Sequence, residues 1–340
     1  AKHKKFGVTT FQAEDEIAGI TSAIGASYSG SMAVTTTSGP GLSLKSEAIG
    51  LAVITELPLV IVDVQRGGPS TGLPTKSEQS DLMQAYYGRN GEAPVIIIAA
   101  SSSANCFDYA FEASRLSLQH MTPVILLTDG YLANGSMLFK IPNMSDMPEI
   151  KPPFAKPNDE NYKPYKRDED TLVREWAVPG MEGLRHRLGG LEKWDITGNV
   201  STDPENHQKM VELRERKVEN VVNDIPEQDI MGEEKGDLLV VSWGGSKGAV
   251  LNAVEELQEE GKSISHAHFH YMNPLPKNTE KILGDFKRII VPELNLGQFV
   301  KILRMTFPQY TYEQYNKVQG LPFTVGELKN KFNEILEEVK

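Results

Sequence analysis

Between Met32 and Thr128 the sequence alternates short, unbroken apolar runs with helix-compatible stretches, and this alternation limits the chain to very few folds. The strand-like runs are Met32–Thr37, Pro58–Val64, Pro94–Ala99 and Pro123–Thr128. Helices are expected over Leu42–Thr55, near Ser77–Tyr87 and over Ala104–Gln119. Strands that read as continuous apolar runs, with no polar face, are buried on both sides. The expectation is therefore an α/β fold, a parallel sheet with helices on both faces built from βαβ units. Ahead of it, Val8–Phe11 reads as a short strand and Glu14–Ser29 as a helix whose acidic first turn suits its dipole.

Two of these strands empty into glycine-rich turns. Met32–Thr37 ends in Ser38-Gly39-Pro40-Gly41, where the residues are equally compatible with an anion at a helix N-terminus and with a plain tight turn. Pro58–Val64 runs into a loop holding Gln65, Arg66, Gly67, Gly68, Pro69, Ser70, Thr71, Gly72, Pro74 and Thr75. Open α/β sheets place their ligands at the carboxyl ends of their strands. This loop offers one fixed cation, several neutral hydrogen-bonding groups, and glycines that let backbone N–H groups come close. The expected ligand is an anion, a carboxylate or a phosphate.

The character changes near Leu138. Nine of the 20 prolines fall between Pro142 and Pro226 and no apolar period holds over 142–165, so a long extended connection is expected. Within it Glu182–Gly198 is loop-like and His207–Val222 a charged helix. A second α/β pattern begins at Asp237, with strands at Leu238–Ser242, Ile264–Phe269 and Arg288–Val291. Its helices are expected over Gly245–Glu260, Lys277–Leu283, Gly297–Met305 and Val325–Lys340. The division expected is a first domain at 1–137, a linker at 138–235 and a last domain at 236–340, and 340 residues suffice for two cores.

A formal charge of -11 argues against nucleic acid or an anionic membrane as a partner, and the basic start Lys2–Lys5 is too short to change that. No run approaches the ~20 apolar residues of a membrane helix, and no signal peptide is visible, so a cytoplasmic location is expected. A single cysteine, Cys106, allows no internal disulfide and no four-thiolate iron–sulfur cluster; any redox centre must sit on another chain. Cys106 itself reads as an inert thiol. His266, His268 and His270 alternate on one strand and so share a face, a spacing that suits zinc ligands, but no fourth ligand is visible and a structural role is expected. Asp129-Gly130 near Asn134 reads as a turn, and Gly244–Gly248 as a plain strand-to-helix turn.

Four segments occur in one order and spacing: Phe11-Gln12-Ala13-Glu14-Asp15-Glu16, Thr37-Ser38-Gly39-Pro40-Gly41-Leu42-Ser43-Leu44, the loop from Gln65 to Thr75, and Asn273-Pro274-Leu275-Pro276. Together they resemble the alpha subunit of 2-oxoacid:ferredoxin oxidoreductases, closest to the 2-oxoglutarate branch, and the resemblance covers essentially the whole chain. It implies that the first domain is the pyrimidine-binding domain of a thiamine diphosphate fold and that the last resembles the C-terminal domain of transketolases. The implied partner is a beta subunit holding the diphosphate with Mg2+ and a 4Fe-4S cluster, paired into a heterotetramer. The implied reaction is oxidative decarboxylation of a 2-oxoacid, giving acyl-CoA (succinyl-CoA from 2-oxoglutarate), carbon dioxide and reduced ferredoxin.

The same resemblance implies the residue roles. Glu14, by its place in the motif, would engage N1' of the pyrimidine, with a helix N-terminal acid as the plainer alternative; Glu16, two residues on, is expected to face away. Arg66 would grip the substrate carboxylate with a planar fork, and Ser70, Thr71 and Gly72 would line the same pocket. Ser38, Gly39 and Gly41 would lie against the cofactor. Family members precede this region with a segment carrying Tyr-Pro-Ile-Thr-Pro, and many carry a gamma-like domain before that. Neither is in this sequence, so a truncated product, a fragment or half of a split subunit with an incomplete site is expected. A non-catalytic scaffold and a transketolase-type transferase are the alternatives.

Overall fold

The structure is a computed structural model that describes residues 4–339; Lys2 and His3 of the basic start, and Lys340 at the end of the expected last helix, lie outside the described residues. In chain order the strands are β1 (Val34–Thr37), β2 (Leu59–Gln65), β3 (Ile96–Ala99), β4 (Pro123–Asp129), β5 (Gly236–Trp243), β6 (Ile264–Phe269), β7 (Tyr271–Asn273), β8 (Phe286–Glu293) and β9 (Tyr312–Asn316). Among the described residues they form two sheets, ordered β1-β2-β4-β3-β7 and β6-β5-β8-β9. Every pairing is parallel except β3 with β7. The unbroken apolar runs are buried as expected, β3 and β4 at every residue. The helices are α1 (Glu16–Tyr28), α2 (Gly39–Leu44), α3 (Ser46–Thr55), α4 (Leu82–Tyr87), α5 (Asn105–His120), α6 (Gly130–Asn134), α7 (Pro204–Glu219), α8 (Lys247–Glu259), α9 (Thr279–Gly284), α10 (Gln298–Thr306) and α11 (Val325–Glu338).

Several expectations need correction. Val8–Phe11 is coil, not a strand, and the apolar side chains of Val8 and Phe11 stand exposed. The helix expected over Leu42–Thr55 starts earlier and is broken at Lys45, whose buried Nζ donates to Glu16 O at 2.6 Å and so ties the break to α1. Residues 77–81 are coil, and helix begins only at Leu82. Asp129 does not make a simple turn; its Oδ1 accepts from Tyr131 N and Leu132 N and caps the short α6. The edge strands β7 and β9 carry too little apolar signal to stand out, three residues in one and Tyr-Glu-Gln-Tyr-Asn in the other. β7 joins the first sheet, with Ile98 opposite Tyr271, so the segment after residue 236 does not keep to a single sheet.

The Pro-rich connection is fastened to the first sheet by charge. Glu56, the left-handed C-cap of α3, is completely buried and accepts from the Arg167 guanidinium and from Lys217 Nζ at 2.7 Å. Arg174 Nη2 donates to Thr55 O and Glu56 O, and Lys217 Nζ also donates to Met121 O at the end of α5. Two helix C-termini thus add their negative dipole ends to one carboxylate opposite three cations.

Candidate active site

A cavity of about 430 Å³ opens at the carboxyl ends of β1 and β2, where the first domain meets the last. Gly39, Arg66, Ser70 and Asp81 line it from one side, Asn295 and Gln298 from the other. The chain reaches this arrangement through buried amides. Gln79 donates to Trp243 O at 2.6 Å and accepts from Leu294 N, while Asn295 Nδ2 donates to Gln79 O. Gln298 accepts from Met83 N and donates to Ser80 O. The last domain therefore holds the far end of the Arg66 loop in place.

The loop closes on itself, with Leu73 N donating to Gly67 O and Gly67 N donating to Lys76 O, both at 2.9 Å. Gly72 has φ +47 and a Cβ there would stand 2.2 Å from Gly67 O, so the turn requires glycine. Arg66 makes no ion pair among the described residues, and its buried Nε has no hydrogen-bond partner. A guanidinium left uncommitted beside a cavity is suited to a carboxylate or phosphate.

On the Arg66 side of the cavity, Asp81 lies beside Asp63 of β2, which is buried behind the lining and does not itself reach the cavity. Asp63, on β2, exposes 0% of its surface and no N–H or O–H donor among the described residues reaches either of its oxygens. Burial first, then the Asp81 charge, push its carboxyl well above the usual carboxylate range. Burial lifts Asp81 to about 6. The Asp81 carboxylate packs against Gly39, where an added Cβ would stand 2.5 Å from Oδ1.

Of the residues expected from sequence, Arg66, Ser70 and Gly39 come together at this cavity. Thr71 and Gly72 are exposed on the outer part of the loop, Ser38 is the N-cap of α2 and Gly41 is buried beneath it. Glu14 is exposed in coil ahead of Asp15, the N-cap of α1, and does not line the cavity. Glu16 does not face away: its Cγ lies 2.7 Å from where a Gly41 Cβ would stand. Asp63, Gln79, Asp81, Asn295 and Gln298 escape a motif-based reading. For Asp63 a signal existed, a lone acid in the apolar run Leu59-Val60-Ile61-Val62-Asp63-Val64.

The histidines form a second polar cluster away from the cavity. Ser242 Oγ lies 2.6 Å from His266 Nε2 and 2.7 Å from His268 Nδ1, while His270 Nδ1 meets Ala99 O and stacks on Tyr109. Among the described residues no three His, Cys, Asp or Glu are grouped to hold a metal. Burial, reinforced by the Lys247 charge, pushes His266 down to about 3. Between pH 6.5 and 3 the unfolded chain therefore carries a proton on this ring that the folded chain does not, so stability falls as pH drops through that window. Replacing His266 with Gln is expected to flatten the stability–pH curve below pH 6.5 by about 1.4 kcal/mol per pH unit, measured by urea unfolding at several pH values. An unchanged slope would mean that His266 titrates normally in the fold.

The first 203 residues match the family model described as pyruvate flavodoxin/ferredoxin oxidoreductase, thiamine diP-bdg. The "2-oxoglutarate oxidoreductase subunit KorA" of Mycobacterium tuberculosis is 50% identical over 329 residues, 96% of this chain and 50% of that protein. The "2-oxoglutarate synthase subunit KorA" of Methanothermobacter marburgensis is 33% identical over 323 residues, 94% of this chain and 85% of that protein. A solved 2-oxoglutarate:ferredoxin oxidoreductase from Magnetococcus marinus, with 2-oxoglutarate, coenzyme A and succinyl-CoA bound, superposes with a TM-score of 0.93 at 35% identity, covering 99% of this chain and 59% of that one. The chain thus spans about half the length of several proteins it matches.

Proposed function

This chain belongs to the pyruvate flavodoxin/ferredoxin oxidoreductase family and has its thiamine diphosphate-binding fold, and on that premise we propose that it is the alpha-type part of a 2-oxoacid:ferredoxin oxidoreductase acting on 2-oxoglutarate. The reaction is oxidative decarboxylation with coenzyme A as acyl acceptor and ferredoxin as electron acceptor. A beta subunit shares the thiamine diphosphate and carries Mg2+ and a 4Fe-4S cluster, in a heterotetramer located in the cytoplasm. Among the described residues no helix is long and apolar enough to cross a membrane. The observation that carries the reading is Arg66, an uncommitted guanidinium on a cavity closed by both domains.

The residues present fit a thiamine pyrimidine at the N-terminus of α1, where the Glu16 side chain lies beside the buried Gly41 of the α2 turn and Glu14 stands exposed just ahead of it. When bound, thiamine diphosphate supplies a nucleophilic carbon and an electron sink for decarboxylation. Glu14 holds the motif position for a hydrogen bond to N1', keeping the proton there that favours the imino tautomer. The packing of Glu16 toward Gly41 favours Glu16 as a second reading of the same role. Arg66 binds the substrate carboxylate; Ser70, Thr71 and Gly72 border it, and Ser38, Gly39 and Gly41 back the cofactor.

The test is coenzyme A-dependent reduction of a low-potential dye by this chain assembled with its beta partner, offered 2-oxoglutarate, pyruvate and branched 2-oxoacids in turn. A preference for 2-oxoglutarate is expected, with loss of at least about 100-fold in turnover for whichever of Glu14→Gln and Glu16→Gln removes the N1' contact. Silence from an assembled complex would favour a scaffold role, and transfer without an electron acceptor a transketolase-type enzyme.

A further inference from the structure

The cavity is lined by an uncommitted cation, Arg66, and by Asp81, and behind Asp81 lies the fully buried Asp63, neither of whose oxygens has a hydrogen-bond partner among the described residues. Two neighbouring carboxylates closed off from water repel each other strongly, and that repulsion favours one proton on the pair. The elements packed against Asp63 add no compensating charge at this level: its partners in register are Thr37 on β1 and Leu127 on β4. Asp81 faces Gly39 of α2, its backbone N–H donates to Gln65 Oε1, and the charged groups that act on it are Glu78 and Arg66 of its own loop. Nothing in this packing requires an acid at Asp63. An acid raised in the fold takes up a proton on folding at neutral pH, and so lowers stability there. A site that keeps such a group at a cost in stability is a candidate for function.

We propose that Asp63 and Asp81 form a proton-sharing pair that sets the charge beside Arg66, so that the cavity takes up a proton as it takes an anionic dicarboxylate. This rests on the reading of Arg66 as the carboxylate-binding residue. With the cavity open, the Arg66 charge favours one negative charge on the pair. A bound carboxylate neutralises Arg66 and adds a like charge nearby, and both effects favour protonation of Asp81. The proton comes from solvent and returns to it when the anion leaves. The pair thereby relieves the repulsion that a fixed carboxylate at Asp81 would impose on the substrate. Asp63 acts through Asp81 as a positioning residue.

The experiment uses the chain assembled with its beta partner and glutarate, a dicarboxylate with no keto group to react. Calorimetric titration in two buffers of different ionisation enthalpy gives both affinity and the number of protons exchanged. Wild-type complex is expected to take up a substantial fraction of a proton near pH 6.5, and to bind more weakly as pH rises from 6 to 8. In Asp63→Asn the amide donates permanently to Asp81 and holds it as an anion. Proton uptake should vanish, and affinity should be about tenfold lower at pH 6 and converge with wild type at pH 8. A protonated-carboxyl infrared band that persists at pH 7 in the wild type and is lost in Asp63→Asn reads the pair directly and needs no ligand. Absence of that band, or equal proton uptake in the two proteins, would overturn the pair. Glutarate binding that Arg66→Ala leaves unaltered would instead overturn the reading of Arg66, and the coupling with it, while leaving the infrared result to stand.

Discussion

Replacing Glu56 with alanine is expected to cost the fold about 3–5 kcal/mol, the penalty for removing one partner from a buried ion pair. Three cations lose their counter-charge at once: Arg167 and Lys217, which pair with its two oxygens, and Arg174, which reaches the adjacent carbonyls. All three are buried or nearly so, and water cannot replace the carboxylate without opening the contact between α7, the Pro-rich connection and the ends of α3 and α5. Urea unfolding should show a midpoint shifted strongly down with little change in slope. Glu56→Gln keeps an acceptor but not the charge and should fall between. Adding Lys217→Met to Glu56→Gln should recover part of the loss, because it removes a cation that no longer has a partner. A loss below about 1 kcal/mol in Glu56→Ala would place the cluster among solvent-screened surface pairs.

The same group gives a pH signature. Burial alone would raise the Glu56 carboxyl, but the Arg167 and Lys217 charges beside it more than offset that and hold it well below the usual carboxylate range. Its contribution is therefore complete above about pH 4.5 and is lost as pH falls below that value. Wild-type protein should lose stability more steeply than Glu56→Gln below pH 4.5, in addition to the histidine contribution that begins at higher pH.

The parallel core was legible because its signal is local. β2, β3 and β4 each read as an apolar run within a few residues, and no distant partner is needed to recognise one. The Glu56 cluster is the opposite case. Arg167, Arg174 and Lys217 look like solvent-exposed charges of a polar linker and a charged helix, and their burial follows from a carboxylate more than a hundred residues earlier. The amide lattice of Gln79, Asn295 and Gln298 is hidden for the same reason, since an isolated amide has no pattern of its own. Glu14 and Glu16 show a third kind of difficulty. The expectation that Glu16 points away assumed only that the two acids differ in direction, and it could not know that α1 begins at Glu16, which puts that side chain over the Gly41 turn. Motifs find the loop that carries Arg66, but the geometry of its surroundings depends on the last domain.

Arg66→Lys is expected to lower kcat/KM for 2-oxoglutarate by about 10- to 100-fold in the assembled complex, mainly through KM. A hydrogen bond to a charged group contributes about 1.5–3 kcal/mol, and about 1.4 kcal/mol is a tenfold change in an equilibrium constant. Lysine keeps the positive charge, so attraction of the anion survives; what it loses is the planar pair of donors that fits both oxygens of a carboxylate. Arg66→Ala removes both and should fall below Lys, and millimolar guanidinium should restore part of its activity by occupying the vacated space. Unfolding midpoints should stay close to wild type in both variants, because Arg66 makes no ion pair among the described residues and none is lost. That separation of binding from stability distinguishes a ligand-holding arginine from a structural one. If Arg66→Lys kept its KM within twofold while the midpoint fell, the guanidinium would be holding the loop and the substrate carboxylate would have to be held elsewhere.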